Sequence, residues 1–320
     1  MRRFKSILAY VQDHPMVDTG LTRAIELART NRASLTLMVV VGAERRGYRN
    51  VVTGALARLI TTRETLTTYA ERLKEEGLQV HVQASYGRPS REIIRQVISA
   101  GHDLVIKTAR PEDDYERARF FGTTAIRLLR GCPCPVWVVR HERNRHRRVL
   151  AAIDAVGDPE RRALSDEIMT RAASLAAMED AELHVVQVWD VWGTRNHLLA
   201  DEQRLSLVEH VRRRVSYDLT SYLDAYRRYL PVPDRIHSLQ GTPVEQITEL
   251  AISIRADTVV MGTFARSGVR SYLIGNTAEK ILPYLDASAL VIKPAHFAAQ
   301  MPDKPAVDRA YQAELDAMGR

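Results

Sequence analysis

The residues best placed to do chemistry in this 320-residue chain are the glycines of one segment. Met261, Gly262 and Thr263 end an apolar run, and Gly275, Asn276 and Thr277 precede a helical pattern. Glycines after a strand let backbone N–H groups approach a phosphate where side chains would block it. A helix starting beside Gly275 offers free N–H donors and the positive end of its dipole. Loop glycines also have purely conformational uses, so spacing alone leaves both readings open. Asp154 ends another apolar run. Its carboxylate could bind a ligand or move a proton, and no convincing second catalytic group accompanies it.

Other chemistries find less support. Cys132-Pro133-Cys134 is not a C-x-x-C motif, and no second cysteine pair completes a zinc site. It reads as small apolar residues packing the turn into the next strand. Ten histidines are scattered singly, without a His-Glu-x-x-His pair, and no metal cluster is expected. There is no G-x-S-x-G elbow and no Walker A lysine. Trp189, Trp192 and His197 either line a pocket mouth for an apolar or acyl group or pack beneath a long loop. Arg212, Arg213 and Arg214 read as a solvated helix face.

A net charge of +7 and a pI of about 9.5 permit anionic ligands without requiring them. Hydrophobic residues at 45% and charged residues at 27% suit a soluble globular protein. No apolar stretch approaches the roughly 20 residues of a membrane span. The basic N-terminus leads into an apolar run that breaks at Gln12-Asp13-His14-Pro15, unlike a signal peptide. With two cysteines there is no disulfide framework, so a cytoplasmic setting is expected.

The elements that must position these residues come as a repeat. Ser6 to Ala9 parallels Arg148 to Ala151, and Gly87-Arg88-Pro89 parallels Gly241-Thr242-Pro243. Leu104 to Thr108 parallels Thr258 to Thr263, Gly122 to Ala125 parallels Gly275 to Ala278, and Pro135 to Arg140 parallels Ser288 to Lys293. A unit of about 150 residues is too long for a solenoid repeat and marks a domain duplication. In the second copy strands are expected at Val149 to Asp154, Leu183 to Trp189, Arg235 to Leu239, Asp257 to Gly262 and Ala289 to Lys293. Helices are expected at Glu160 to Glu179, Asp201 to Tyr229, from Thr242, and at Ser271 to Leu285. Thr242, Pro243 and Glu245 form a capping box. Continuously apolar strands alternating with helices predict an α/β fold of two tandem, doubly wound parallel sheets. Ligands bind such sheets beyond the strands' carboxyl ends, where the winding reverses. The expected boundaries are 1–145 and 146–297, with a basic linker at 140–148 and a tail at 298–320. The linker reads as a solvated connector, and a nucleic-acid partner is not expected.

The segment from Met261 to Glu279 resembles the signature of universal stress proteins: Gly, two residues, Gly, nine residues, then Gly followed by Ser or Thr. The strand ending Leu290-Val291-Ile292-Lys293-Pro294 matches as well. The variant Gly275-Asn276-Thr277-Ala278-Glu279, with a first copy lacking the motif, is most similar to the family's double-domain, UspE-like subgroup. The resemblance covers residues 1 to 295. It implies an adenine nucleotide alpha hydrolase-like fold and, in members that bind ATP, a site that maps here onto Asp154, Val188, Met261, Gly262, Gly275, Asn276 and Thr277. In that mapping Asp154 contacts the adenosine, the Val188 backbone the adenine, and the glycine loop the phosphates.

Departures bear on this expectation. Ala265 replaces the second motif glycine, and its Cβ would obstruct a phosphate or disfavour a positive φ. Asn276 stands where Ser or Thr is usual but still offers a donor. In the first copy, Lys107 is read at the first motif-glycine position and Gln12 in place of the strand-one acid. The loop from Ala109 to Arg119 is charged and contains Pro111, while Gly122 and Thr123 keep the last element. The expected function is a non-enzymatic stress-response protein that binds ATP in its second domain only. The alternatives are a scaffold holding an apolar or lipid-like ligand and, more weakly, a slow ATP hydrolase. Family dimers commonly pair through their last strands, so the resemblance implies pairing of Pro135 to Arg140 with Ala289 to Lys293, within one chain as a pseudo-dimer or between chains of a homodimer.

Overall fold

The apolar runs fold as strands and the periodic segments as helices, in the order of the repeat. The structure, a computed structural model, describes residues 4–12, 18–41, 50–109, 121–140, 147–156, 158–191, 201–229, 233–263, 276–295, 297, 301–305, 308–309 and 312–313. The first copy runs β1 (Ser6–Tyr10), α1 (Thr19–Asn31), β2 (Ser34–Val41), α2 (Asn50–Glu75), β3 (Val80–Tyr86), α3 (Pro89–Ala100), β4 (Leu104–Thr108), α4 (Gly122–Gly131) and β5 (Val136–Val139). The second runs β6 (Arg148–Ile153), α5 (Pro159–Glu179), β7 (Glu182–Trp189), α6 (Asp201–Leu223), β8 (Ile236–Gln240), α7 (Pro243–Ser253), β9 (Thr258–Gly262), α8 (Asn276–Ile281) and β10 (Ser288–Ile292).

Two expected helices end differently. The one drawn to Tyr229 tightens after Leu223 into a 3-10 segment, Asp224–Tyr229. The hydroxyls of Tyr222 and Tyr226 both reach Asp166 there, at 2.9 and 3.4 Å. The helix drawn from Ser271 to Leu285 is described from Asn276 onward, and it tightens at Leu282–Tyr284. Pro283 lacks the donor an α-helix needs at that point.

All ten strands form one sheet in the order β3-β2-β1-β4-β5-β10-β9-β6-β7-β8. Pairing is parallel within each half and antiparallel only between β5 and β10, where Val136, Trp137 and Val138 face Val291, Leu290 and Ala289. The last strands therefore meet inside one chain and cover each other's edges, giving an internal pseudo-dimer. Each face of the sheet carries an apolar layer that continues across this seam. Polar contacts cross it too. Arg23 pairs with Glu179 at 2.8 Å, and both are buried. Arg140 donates to the Leu285 carbonyl at 2.9 Å and pairs with Asp286 at 2.7 Å. Its counterpart Lys293 reaches back to the carbonyls of Leu129 and Arg130, which end α4.

The repeated glycines have readable causes. Gly87 and Gly241 hold φ of +145° and +142°, each just ahead of a helix that carries proline in its first turn. Gly262 is different: a Cβ there would lie 2.5 Å from Leu164 Cδ2 and 3.1 Å from Ile168 Cδ1, because α5 crosses directly over the end of β9. Gly262→Ala should therefore destabilise the protein by about 1–3 kcal/mol. Chemical denaturation of Gly262→Ala alone and together with Leu164→Ala checks this, and partial recovery in the double variant is expected.

Near the outer edge of the second half His184 stacks on His237, with centroids 5.5 Å apart and Nδ1 to Nε2 at 3.2 Å. Burial lowers the proton affinity of both rings, and His237 lowers that of His184 further; Glu182 opposes this for His184 and Arg235 assists it. The unfolded chain thus binds more protons than the folded one around the ordinary histidine pKa. Stability should fall as pH drops through that value, by no more than about 1.4 kcal/mol per pH unit for each ring. Thermal melts from about pH 7.5 to about pH 5.5 should show this slope flattened in His237→Gln.

Candidate functional site

The winding of the two halves reverses between β1 and β4 and between β6 and β9, so each half has a crevice at those carboxyl ends. Strand register fixes which residues correspond. Ile7 faces Leu104 as Val149 faces Thr258. Gln12 is therefore the counterpart of Asp154, as expected. The counterpart of Gly262, however, is Thr108. Lys107 corresponds to Met261, which corrects its assignment to the glycine position by one residue. Lys107 is buried in β4, and its ammonium donates to the Thr108 carbonyl at 2.8 Å.

In the second half, Asp154 lies just past the end of β6. Its backbone N–H donates to Ser165 Oγ at 3.0 Å, and Ser165 Oγ donates to the Arg161 carbonyl at 2.9 Å. The Asp154 carboxylate takes Arg161 on one oxygen at 2.8 Å and Gln187 Nε2 on the other at 3.4 Å. Gln187 is buried in β7, and its Oε1 accepts the Ala155 N–H at 2.8 Å. Asp158 caps α5 by accepting the Arg161 N–H at 3.0 Å. Asp154 and Arg161 are each more than two-fifths exposed, so their ion pair contributes at most about 1 kcal/mol and breaks readily. This corner of the crevice holds an accessible carboxylate, an accessible guanidinium and a strand end without a side chain.

The first half is built differently at the same place. Its helix α1 has 13 residues where α5 has 21, although both end in a left-handed C-cap, at Arg32 and Asp180. The shorter helix begins at the crevice instead of running past it. The Thr108 hydroxyl donates to Asp18 Oδ1 at 2.5 Å and accepts the Gly20 N–H at 2.8 Å. Asp18 also accepts the Leu21 N–H at 2.9 Å as N-cap. A Cβ on Gly20 would lie 2.8 Å from the Thr108 backbone nitrogen. Threonine thus fills the strand end, and the glycine has moved to the helix that packs on it.

The structure brings Asp154, Gly262 and the Val188 strand end to one rim of the sheet. Met261 is buried in the core, and Val188 is partly buried, its carbonyl 3.4 Å from Gln187 Nε2. Asn276 opens α8, and Thr277 is exposed beside it. Gly275, Ala265, Trp192 and His197 lie outside the described residues. Trp189 is buried with Val191 and Val215, and its indole N–H donates to Ser238 at 3.1 Å, so it packs instead of lining a mouth. Cys132 and Cys134 are buried with sulfurs 3.6 Å apart, in the turn before β5. Sequence reasoning missed Arg161, Gln187 and Thr108. A glutamine inside the apolar run of β7 was the visible signal for one of them. Among the described residues no group of three or more His, Cys, Asp or Glu is placed to hold a metal ion, and no helix is long and apolar enough to cross a membrane.

The family model of the universal stress protein family matches residues 3–140 and again 145–293. Universal stress protein E of Escherichia coli K12 is 33% identical over 216 residues, covering 66% of this chain and 67% of that protein. Universal stress protein E of Salmonella typhi is 31% identical over 228 residues, covering 70% and 71%. The crystal structure of a functionally unknown protein of Pseudomonas aeruginosa PAO1 superposes with a TM-score of 0.72 at 25% identity, covering 98% of both chains. With two successive matches to one family model and a relative of this similarity, the chain belongs to the universal stress protein family, as a tandem member of the universal stress protein E type.

Proposed function

We propose that this chain is a non-enzymatic, cytoplasmic stress-response protein whose second domain, 146–297, binds an adenine nucleotide, with ATP as the ligand to test. The first domain, 1–145, serves as its structural partner, and 298–320 is a tail. The supporting observation is the contrast between the two crevices. An exposed Asp154 carboxylate lies at the end of β6 in one, beside Gly262 with α5 packed on it, whereas Gln12 replaces the acid and the Thr108–Asp18–Gly20 cluster ties the helix start to the strand end in the other. In this reading Asp154 accepts from the ribose, the Val188 backbone meets the adenine, and Gly262 with Gly275, Asn276 and Thr277 line the phosphates. Arg161 then faces the phosphates from the start of α5. An Asp154 carboxylate already held by Arg161 and Gln187 suits binding better than proton transfer.

A second reading, a scaffold that binds no nucleotide, follows if Asp154 stays paired with Arg161. Calorimetry with ATP separates the two. Binding at or below millimolar concentration is expected, and Asp154→Ala should weaken it about 10- to 100-fold through loss of hydrogen bonds to a charged acceptor. Absence of heat at millimolar ATP would overturn the nucleotide reading. Sustained release of phosphate that Asp154→Ala abolishes would overturn the non-enzymatic one.

A further inference from the structure

The segment after β10 returns to the outer edge of the first half. β3 is the terminal strand of the sheet on that side, with 7 residues against the 5 of β8 at the opposite edge. A long edge strand offers a row of backbone groups to another chain unless something covers them. The Gly87 N–H turns to the Val41 carbonyl of β2 at 3.1 Å, so the Tyr86 N–H, one residue earlier, points outward. It donates to Gln312 Oε1 at 3.1 Å. Gln312 Nε2 donates in return to the Ala84 carbonyl at 3.4 Å, which also takes Gln83 Nε2 at 3.1 Å. One residue of a parallel neighbouring strand would donate to and accept from this same pair of groups. The Gln312 carboxamide thus stands where an eleventh strand would pair.

Charge holds the same segment in place. Lys304 Nζ donates to Glu92 Oε2 at 3.0 Å and to Gln312 Oε1 at 3.1 Å, and Arg95 donates to the Pro302 carbonyl. The Glu92 side chain is 4% exposed and lies against Gly87. A carboxylate so buried needs a cation. Arg95 Nε stays 3.8 Å from its other oxygen, and Lys304 makes the shorter contact. The second half has the same corner without that charge. There Gln246 lies against Gly241 as Glu92 lies against Gly87, and Glu249 stands at the position of Arg95. A neutral glutamine therefore satisfies the turn, and the charge at Glu92 is explained by Lys304. The anion and the cation that α3 presents belong to the first half alone, and the segment after β10 engages both.

We infer that the outer edge of β3 is an interaction surface kept covered by Pro302, Lys304 and Gln312, and that uncovering it lets two copies of this chain pair antiparallel through β3. The β5–β10 seam already joins two parallel halves by an antiparallel pair of edges. A twofold dimer would repeat that geometry with the same strand on both sides. None of this depends on the nucleotide reading.

Hydrogen exchange on the full-length protein tests the inference at low and at high protein concentration. At low concentration, Gln312→Ala should speed exchange of the Tyr86 amide about tenfold, as for one lost hydrogen bond. Lys304→Glu, which sets a second carboxylate against Glu92, should do the same, and adding Glu92→Gln should restore part of the protection. The Val105 amide, in the middle of the sheet, should stay unchanged and shows that the fold is intact. At high concentration the Tyr86 amide of Gln312→Ala and of Lys304→Glu should slow again, and both variants should sediment as a larger species than the wild type. The inference fails if Tyr86 exchanges equally in the wild type and both variants, or if Glu92→Gln restores nothing. It also fails if the faster exchange is independent of concentration and no larger species forms.

Discussion

The antiparallel pairing of β5 with β10 is the constraint on which the rest of the molecule depends. A doubly wound half ending in an apolar strand leaves that strand's edge exposed, and such an edge pairs with another. Fusion supplies the partner within the chain, and the two apolar layers then run unbroken across ten strands. Arg140 and Lys293 occupy matching positions after the two last strands, and each closes the end of the other half's helical segment. Burial pushes the Lys293 ammonium down to about 8, so its carbonyl contacts on α4 are made in a poorly solvated place. The buried Arg23–Glu179 pair adds a constraint of orientation across the seam.

That shared scaffold freed the halves to differ. One half needs only to present β5 and its helices to the seam, and its crevice can close without loss of fold. The closing is local: α1 is eight residues shorter than α5, and the helix start, an Asp cap and a threonine meet at the strand end. Where α5 instead runs on, Leu164 and Ile168 press on the strand end and leave room for glycine alone. Gly262 is therefore explained by helix packing whether or not a phosphate lies beside it.

Much of this was legible in the sequence because it rests on periodicity and turn chemistry. The strands, the duplication, the Thr242 cap and the paired Gly-x-Pro turns follow from residue patterns that act over a few positions. Pairing of the two last strands was an expectation from the family resemblance, and the structure places it within one chain. The correspondence of Lys107 was off by one because Leu104 to Thr108 and Thr258 to Thr263 are both apolar runs ending in threonine, and only register distinguishes their alignments. Arg161 and Thr108 were invisible because their roles depend on where α5 and α1 begin relative to the strand ends, a distance no local pattern encodes.

The unequal crevices are tested most directly by hydrogen exchange with and without ATP. Protection should rise at the amides of 153–165 and 258–263, around Asp154, the start of α5 and the end of β9. It should stay unchanged at 18–24 and 104–109, around Thr108 and the start of α1. Equal protection in both halves, or protection confined to the first, would contradict a single open site in the second half.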